Sequence, residues 1–329
     1  MTTVQLPSWA LVVLVIGLGV FIALIVLYSK RLHGLNRPLF STPYTLWMIL
    51  FTILPCILIA YYAFTDKNGA FTLDNFKNFW DSNYEMNAQL AAAGIDPASM
   101  GFGRGTVNID TLLYSLWMAF LCTIICLVLG YPVAHIMADR EFKLGSTIVV
   151  LFVIPMWMNF LLRTIAWMSL LEDNGLINNL LDWLGLGRRQ LMYNSEAVLL
   201  GMVYNYLPFM VFPIYNVLSK MDYKLSEAAM DLGCDKWRTF YKVTLPLSLP
   251  GVVSGITMVF MPAVTTFFIP RLLGGGNTEM FGDLIERTFL TANNWNGGSA
   301  LSLIMMVLIL LSLGLLRKVD PDGEGSSTI

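Results

Sequence analysis

The chain has 329 residues, 56% of them hydrophobic and 13% charged, with a formal net charge of −2. That charged fraction is about half the usual value for a soluble domain, so an ordinary water-soluble globular protein is excluded. With no basic excess, nucleic acid is not expected as a partner.

Seven stretches are apolar enough and long enough to cross a hydrocarbon core, which takes about 20 residues. They lie near Trp9–Tyr28, Tyr44–Phe64, Leu112–Ala138, Ser146–Leu171, Ala197–Leu218, Gly251–Pro270 and Ser299–Leu316. In lipid the backbone satisfies its own hydrogen bonds, so each is predicted to be a helix and the fold an all-α polytopic membrane protein. The first stretch has no Lys or Arg before it and is followed by Lys30, Arg31 and Arg37. It lacks the basic leader of a signal peptide and reads as a retained extra helix. The organisation predicted is an N-terminal helix and linker (1–43), a membrane domain (44–318) and a polar tail (319–329). The largest polar interruptions of the membrane domain are 65–111 and 219–250.

The loops 29–43, 139–145, 219–250 and 317–329 carry 12 basic residues, and those on the opposite side carry 7 in a longer total length. The positive-inside bias therefore places the first set in the cytoplasm, with the N-terminus outside and the C-terminus inside. The outer loops hold 13 acidic residues against their 7 bases. This asymmetry follows from the same bias, and it also suits a vestibule for a cation or a charged docking partner. Cys56, Cys122 and Cys126 fall inside apolar helices without His or acid at ligand spacing, and read as core fillers. His33 and His135 sit near predicted helix ends, where snorkelling or capping explains them. No P-loop pattern G-x-x-x-x-G-K-[ST] occurs, so the chain is not expected to bind ATP phosphates itself or to be an enzyme. No cofactor or metal site is expected. Gly101–Gly105 and the run Gly274–Asn277 read as loop breakers.

Within 219–250 the chain reads Glu227-Ala228-Ala229, three residues, Gly233, nine residues, Val243, one residue, Leu245-Pro246. Ser226 is predicted to cap a short helix, with Glu227 in its first turn facing the helix dipole. Ala228 and Ala229 have little bulk, so a partner surface can approach the backbone, and Gly233 suits the left-handed position that ends a helix. A second short helix is predicted from Asp235, with Trp237, Phe240 and Tyr241 on one face. Leu245-Pro246 is predicted to stop it and Pro250-Gly251 to turn the chain into the next membrane helix.

This spacing resembles the EAA signature of the membrane subunits of ATP-binding-cassette importers, with Val243 where Ile is commonest. The resemblance implies a type I importer fold (MetI-like) with one extra N-terminal helix. It further implies that Glu227, Ala228, Ala229, Asp231, Gly233, Leu245 and Pro246 form a coupling segment docked on an ATPase. The implied partners are two ATPase subunits, a second homologous permease chain and an external solute-binding protein, in a bacterial inner membrane.

Further stretches are similar to the spermidine/putrescine permeases: Phe71–Phe76, Leu129–Ala134, Ile154–Arg163, Tyr206–Val211 and Leu272–Gly276, within a resemblance covering roughly 44–318. Polyamines are the cargo this implies. The residues are compatible with it. Pro155, Pro208, Pro213 and Pro262 free carbonyls inside predicted helices, and both carbonyls and aromatic faces attract ammonium groups. Trp157, Asn159, Phe160, Asn205, Tyr206, Phe209 and Phe267 are the candidate path residues, and Arg163 is a polar group in the same apolar stretch. Other organic cations or small anions are alternative cargoes within the class. An ion-coupled secondary transporter is the alternative outside it; that would call for midplane ionisable residues and internal repeats.

Overall fold

The structure, a computed structural model, describes residues 44–45, 47–66, 68–83, 90, 105–139, 145–276 and 278–319. The predicted helix Trp9–Tyr28, all of 1–43, most of the insert 81–108 and nearly all of the tail lie outside these residues. Two units are distinguished, Met1–Tyr61 and Tyr62–Ile329. The described residues are almost entirely helical, with one isolated antiparallel bridge between Thr65 and Phe71.

The apolar helix Ile49–Ala63 (α1) comes first and is shorter than the long helices that follow. Its first five residues, Ile49–Ile53, are π-helical and lead directly into Leu54-Pro55. Proline lacks an N–H and its ring collides with the carbonyl four residues back, and widening the preceding turn relieves both problems.

After α1, helix Asp74–Trp80 (α2) lies in the first long loop. The side-chain amide of Asn75 donates to the carbonyls of Ala63 and Thr65, each at 2.9 Å. The Asn296 amide donates to the Tyr62 and Thr65 carbonyls. Two asparagines thus satisfy the end of α1, which explains the Phe71–Phe76 stretch physically.

The centre of the second unit is a trio of long helices: Val107–Ala138 (α3), Ser195–Lys220 (α7) and Lys236–Thr265 (α9). These three pack against one another more extensively than any other helices. With Trp295–Val319 (α12) they are the four described helices long and apolar enough to span a membrane, α12 counting over Trp295–Gly314. Lipid tails are as apolar as leucine, so close backbone approach matters more here than hydrophobic burial. Gly251 shows this, since a Cβ there would lie 3.0 Å from the Pro213 carbonyl oxygen and 3.1 Å from the Ile214 Cα. Pro250-Gly251 is therefore a packing point inside α9 rather than the predicted turn.

Three further expectations are corrected. Ser146–Leu171 is two helices, Gly145–Trp157 (α4) and Phe160–Leu171 (α5). Asn159 separates them, its Oδ1 accepting from the Leu161 N–H at 2.8 Å to start α5 afresh. Leu245-Pro246 does not stop a helix: α9 runs through it, with a π-helical turn at Phe240–Thr244 just before, as in α1. The segment expected at Gly251–Pro270 ends at Thr265, and Pro270 belongs to a separate short helix, Phe268–Leu273 (α10). The remaining helices are Leu176–Trp183 (α6), Lys224–Asp231 (α8) and Phe281–Leu290 (α11).

Candidate functional site

The EAA residues lie on and just beyond α8. Its first turn is held by Asp222, whose carboxylate accepts from the Lys224 N–H at 3.1 Å. Ser226, expected as the cap, is instead buried inside the helix. The C-terminus closes as expected at Gly233, whose φ is +89°. The Gly233 N–H donates to the Met230 carbonyl at 2.9 Å and the Cys234 N–H to the Ala229 carbonyl at 3.0 Å. This pair of bonds is a Schellman closure, and it requires a left-handed residue at that point. A side chain at Gly233 would meet nothing within 4 Å, so conformation rather than space selects glycine here.

Asp235 then caps α9, accepting from the Arg238 N–H at 2.9 Å. The tight turn between α8 and α9 leaves Glu227, Ala228, Asp231 and Gly233 exposed, with Ala229 half-buried. Leu232 is 88% exposed and Trp237 72% exposed beside them. An acidic and alanine face flanked by two bare apolar side chains suits docking on a protein groove. Leu232 was not singled out in the sequence, although an aliphatic residue just before a C′ glycine is the available signal.

Phe240 does not share the exposure of Trp237 and Tyr241. It turns inward, with its ring 5.8 Å from Tyr131 and 5.5 Å from His135, both on α3. The Tyr131 hydroxyl also meets Ser248 Oγ on α9 at 2.8 Å. The start of α9 is thus fastened to the end of α3. Leu245 is half-buried and Pro246 exposed, both just after the π-helical turn of α9. A cavity of about 260 Å³ lies behind α8, walled by His135, Leu218, Ser226, Met230 and Thr239 among others.

The path candidates are dispersed. Trp157 is 88% exposed at the end of α4, and Asn159 is exposed at the break. Phe160, Phe209 and Phe267 are half-buried, the Phe267 ring tilted against Phe268 with centroids 4.3 Å apart. Asn205 and Tyr206 are buried inside the chain. The Asn205 amide donates to the Gly201 carbonyl at 2.9 Å, and the Tyr206 hydroxyl donates to the Pro262 carbonyl at 3.2 Å. The Pro262 carbonyl lies in the last turn of α9, where helix carbonyls lack intrahelical partners, and it is already taken up internally. Cys122 and Cys126 are free and buried, as core fillers are, whereas Cys56 is exposed on α1 and does not fill a core.

Around α11, Arg271 pairs with Glu286 at 2.7 Å and Arg287 with Glu279 at 3.1 Å. Burial pushes the Glu279 and Asp283 carboxyls above the ordinary range, against the pull of the neighbouring arginines. A raised carboxyl favours the folded state while protonated, so this contribution is lost as pH rises through the raised value.

A sequence profile of the binding-protein-dependent transport system inner membrane components matches residues 15–322. The chain belongs to this family. The permease is 34% identical over 275 residues to the spermidine/putrescine transport system permease protein PotB of Escherichia coli (strain K12), covering 81% of this chain and 91% of that protein. Its Haemophilus influenzae counterpart (strain ATCC 51907 / DSM 11121 / KW20 / Rd) is 33% identical, covering 80% and 87%. The inner membrane ABC transporter permease protein YdcU of Escherichia coli (strain K12) is 28% identical, covering 74% and 80%. Among solved structures, a bacterial ABC transporter that imports the acidic polysaccharide alginate superposes with a TM-score of 0.67 at 16% identity, covering 91% of the permease and 97% of that chain. A second alginate transporter structure, in complex with an alginate-pentasaccharide-bound periplasmic protein, gives 0.67 at 14%, covering 90% and 94%. At these identities the structural likeness shows the fold, which is that of an ABC importer permease. The permease is accordingly a multi-pass inner-membrane subunit of an importer.

Proposed function

We propose that the cargo is a polyamine of the spermidine/putrescine class, and that ATP hydrolysis in separate subunits drives its entry through the turn between α8 and α9. The observation that carries the coupling is the Schellman closure at Gly233, which presents Glu227, Ala228 and Ala229 on a preformed, exposed face. The cargo is supported by the relatives that cover most of both chains. Two ATPase subunits dock on this turn and on its equivalent in a second permease, and a solute-binding protein delivers cargo at the opposite face. Closure of the ATPase dimer pushes α8 and, through Phe240, Tyr131 and Ser248, rocks α3 and α9 as rigid bodies. The chain performs no covalent chemistry.

The direct test is uptake of labelled spermidine in cells lacking the gene and in cells carrying it on a plasmid. Complementation should restore uptake, and unlabelled putrescine should compete while arginine should not. Competition by arginine but not by putrescine would assign another cargo.

Orientation has its own test. Reporter fusions at residues 35, 90, 142, 185, 230, 285 and 320 should alternate in, out, in, out, in, out, in, since basic loops stay in the cytoplasm. An external signal at 230 would remove the EAA turn from the compartment that holds ATP.

Trp157 is the leading path candidate, exposed beside the break between α4 and α5. Trp157→Ala should lower spermidine uptake several-fold without reducing the assembled complex, by loss of a cation–π contact worth about 0.5–2 kcal/mol. Trp157→Phe should retain much of it. Equal uptake in wild type and the alanine variant would take Trp157 off the path, and loss of the complex would make it an interfacial anchor.

A further inference from the structure

We propose that Arg163 forms an anion site inside the membrane domain, completed by a negatively charged group from outside this chain. Arg163 is only 7% exposed. Among the described residues its Nε and Nη1 have no hydrogen-bond partner. A buried guanidinium without a counter-charge is strongly disfavoured, and in a membrane protein such a group marks a site of function or assembly.

The surroundings add positive potential rather than removing it. Arg163 lies at the start of α5, where its backbone N–H donates to the Asn159 carbonyl at 3.2 Å. No acidic residue occupies the first turn of that helix. The N-terminal end of a helix is itself the positive end of the helix dipole, so a buried cation there is doubly unfavourable and an anion doubly favoured.

The counter-charge is not supplied by the neighbouring helices. Of the helices that pack on α5, α10 contains no Asp or Glu, α7 contains only Glu196 in its first turn, and Asp182 of α6 is exposed and paired with Arg188 at 3.5 Å. Glu172 lies nine residues further along the chain, about 13 Å by helical rise. The Tyr206 hydroxyl gives its proton to the Pro262 carbonyl. The ligand chemistry is therefore a compact anion able to take two N–H donors. A carboxylate of the second permease chain and a free halide both fit. Either would also neutralise a fixed cation that otherwise repels cationic cargo, although the site itself does not depend on what the cargo is.

The test uses the complete importer, purified through a tag on this chain, as wild type, Arg163→Gln and Arg163→Lys. The readouts are the second permease recovered and the ATPase rate in chloride or gluconate at equal ionic strength. If the anion is a carboxylate of the second permease, Arg163→Gln should lower its recovery about tenfold or more. Arg163→Lys should keep part of it, and the wild-type rate should ignore chloride. If the anion is a halide, replacing chloride should slow the wild type several-fold and leave Arg163→Gln unaffected, with recovery unchanged. A glutamine variant that matches wild type in both recovery and chloride response overturns the site. So does a glutamine variant that already melts at lower temperature when this chain is expressed alone, since Arg163 would then serve only the chain's own fold. Neither readout requires spermidine, so a wrong cargo assignment would leave the outcome intact.

Discussion

Gly233→Leu is expected to abolish spermidine uptake while the chain still inserts in the membrane. The φ of +89° at Gly233 lies in the left-handed region, where an ordinary L-residue carries a strain of about 1–2 kcal/mol. The strain is relieved by breaking the two closing bonds from Gly233 and Cys234. That releases the end of α8 and misdirects the face carrying Glu227, Ala228 and Ala229. The site has no neighbour within 4 Å, so the isolated chain has no steric reason to misfold. Asparagine tolerates the left-handed conformation, so Gly233→Asn should retain a large share of uptake. Co-purification of the ATPase should fall in parallel with uptake in the leucine variant. Wild-type uptake in Gly233→Leu would separate this turn from ATP coupling.

Gly251→Val is expected to act differently, by loss of the folded bundle. Its α-hydrogen faces the Pro213 carbonyl and the Ile214 Cα on α7, which are backbone atoms and cannot swing aside as a side chain can. Inserting a branched side chain must push α9 from α7, and overpacking of this kind costs about 1–3 kcal/mol. The measurement is the apparent melting temperature of the detergent-solubilised chain by fluorescence-detected size exclusion, together with its yield. Both should fall. An unchanged melting temperature would mean that the α7–α9 crossing has slack that the geometry does not show.

Much of this fold is legible in the sequence because membrane spans are long apolar runs. Leu112–Ala138, Ala197–Leu218 and Ser299–Leu316 each fall inside one observed helix. Hydropathy measures the length of a run but not its continuity, which is why Ser146–Leu171 reads as one span although Asn159 carries the capping chemistry that divides it. Proline misleads in the opposite direction. Leu245-Pro246 obeys the rule that residues before proline avoid helix, yet a π-turn supplies the room the ring needs and α9 continues. At the turn between α8 and α9, Gly233 is readable because a left-handed helix end favours glycine, whereas the first turn of α8 is held by Asp222, four residues before Ser226, and either short polar side chain could have started the helix. Phe240 is the least legible, because its inward turn depends on Tyr131 and His135, more than a hundred residues earlier. The burial of Arg163 is equally a property of the packed bundle and not of its local sequence.

The most direct measurement is spermidine accumulation in proteoliposomes containing this chain, its partner permease and the ATPase, with the binding protein outside. ATP sealed inside should drive accumulation against a gradient, ionophores that collapse ion gradients should leave it intact, and Gly233→Leu should eliminate it. Accumulation that needs no ATP and vanishes with an ionophore would contradict the coupled-importer mechanism and favour an ion-driven transporter instead.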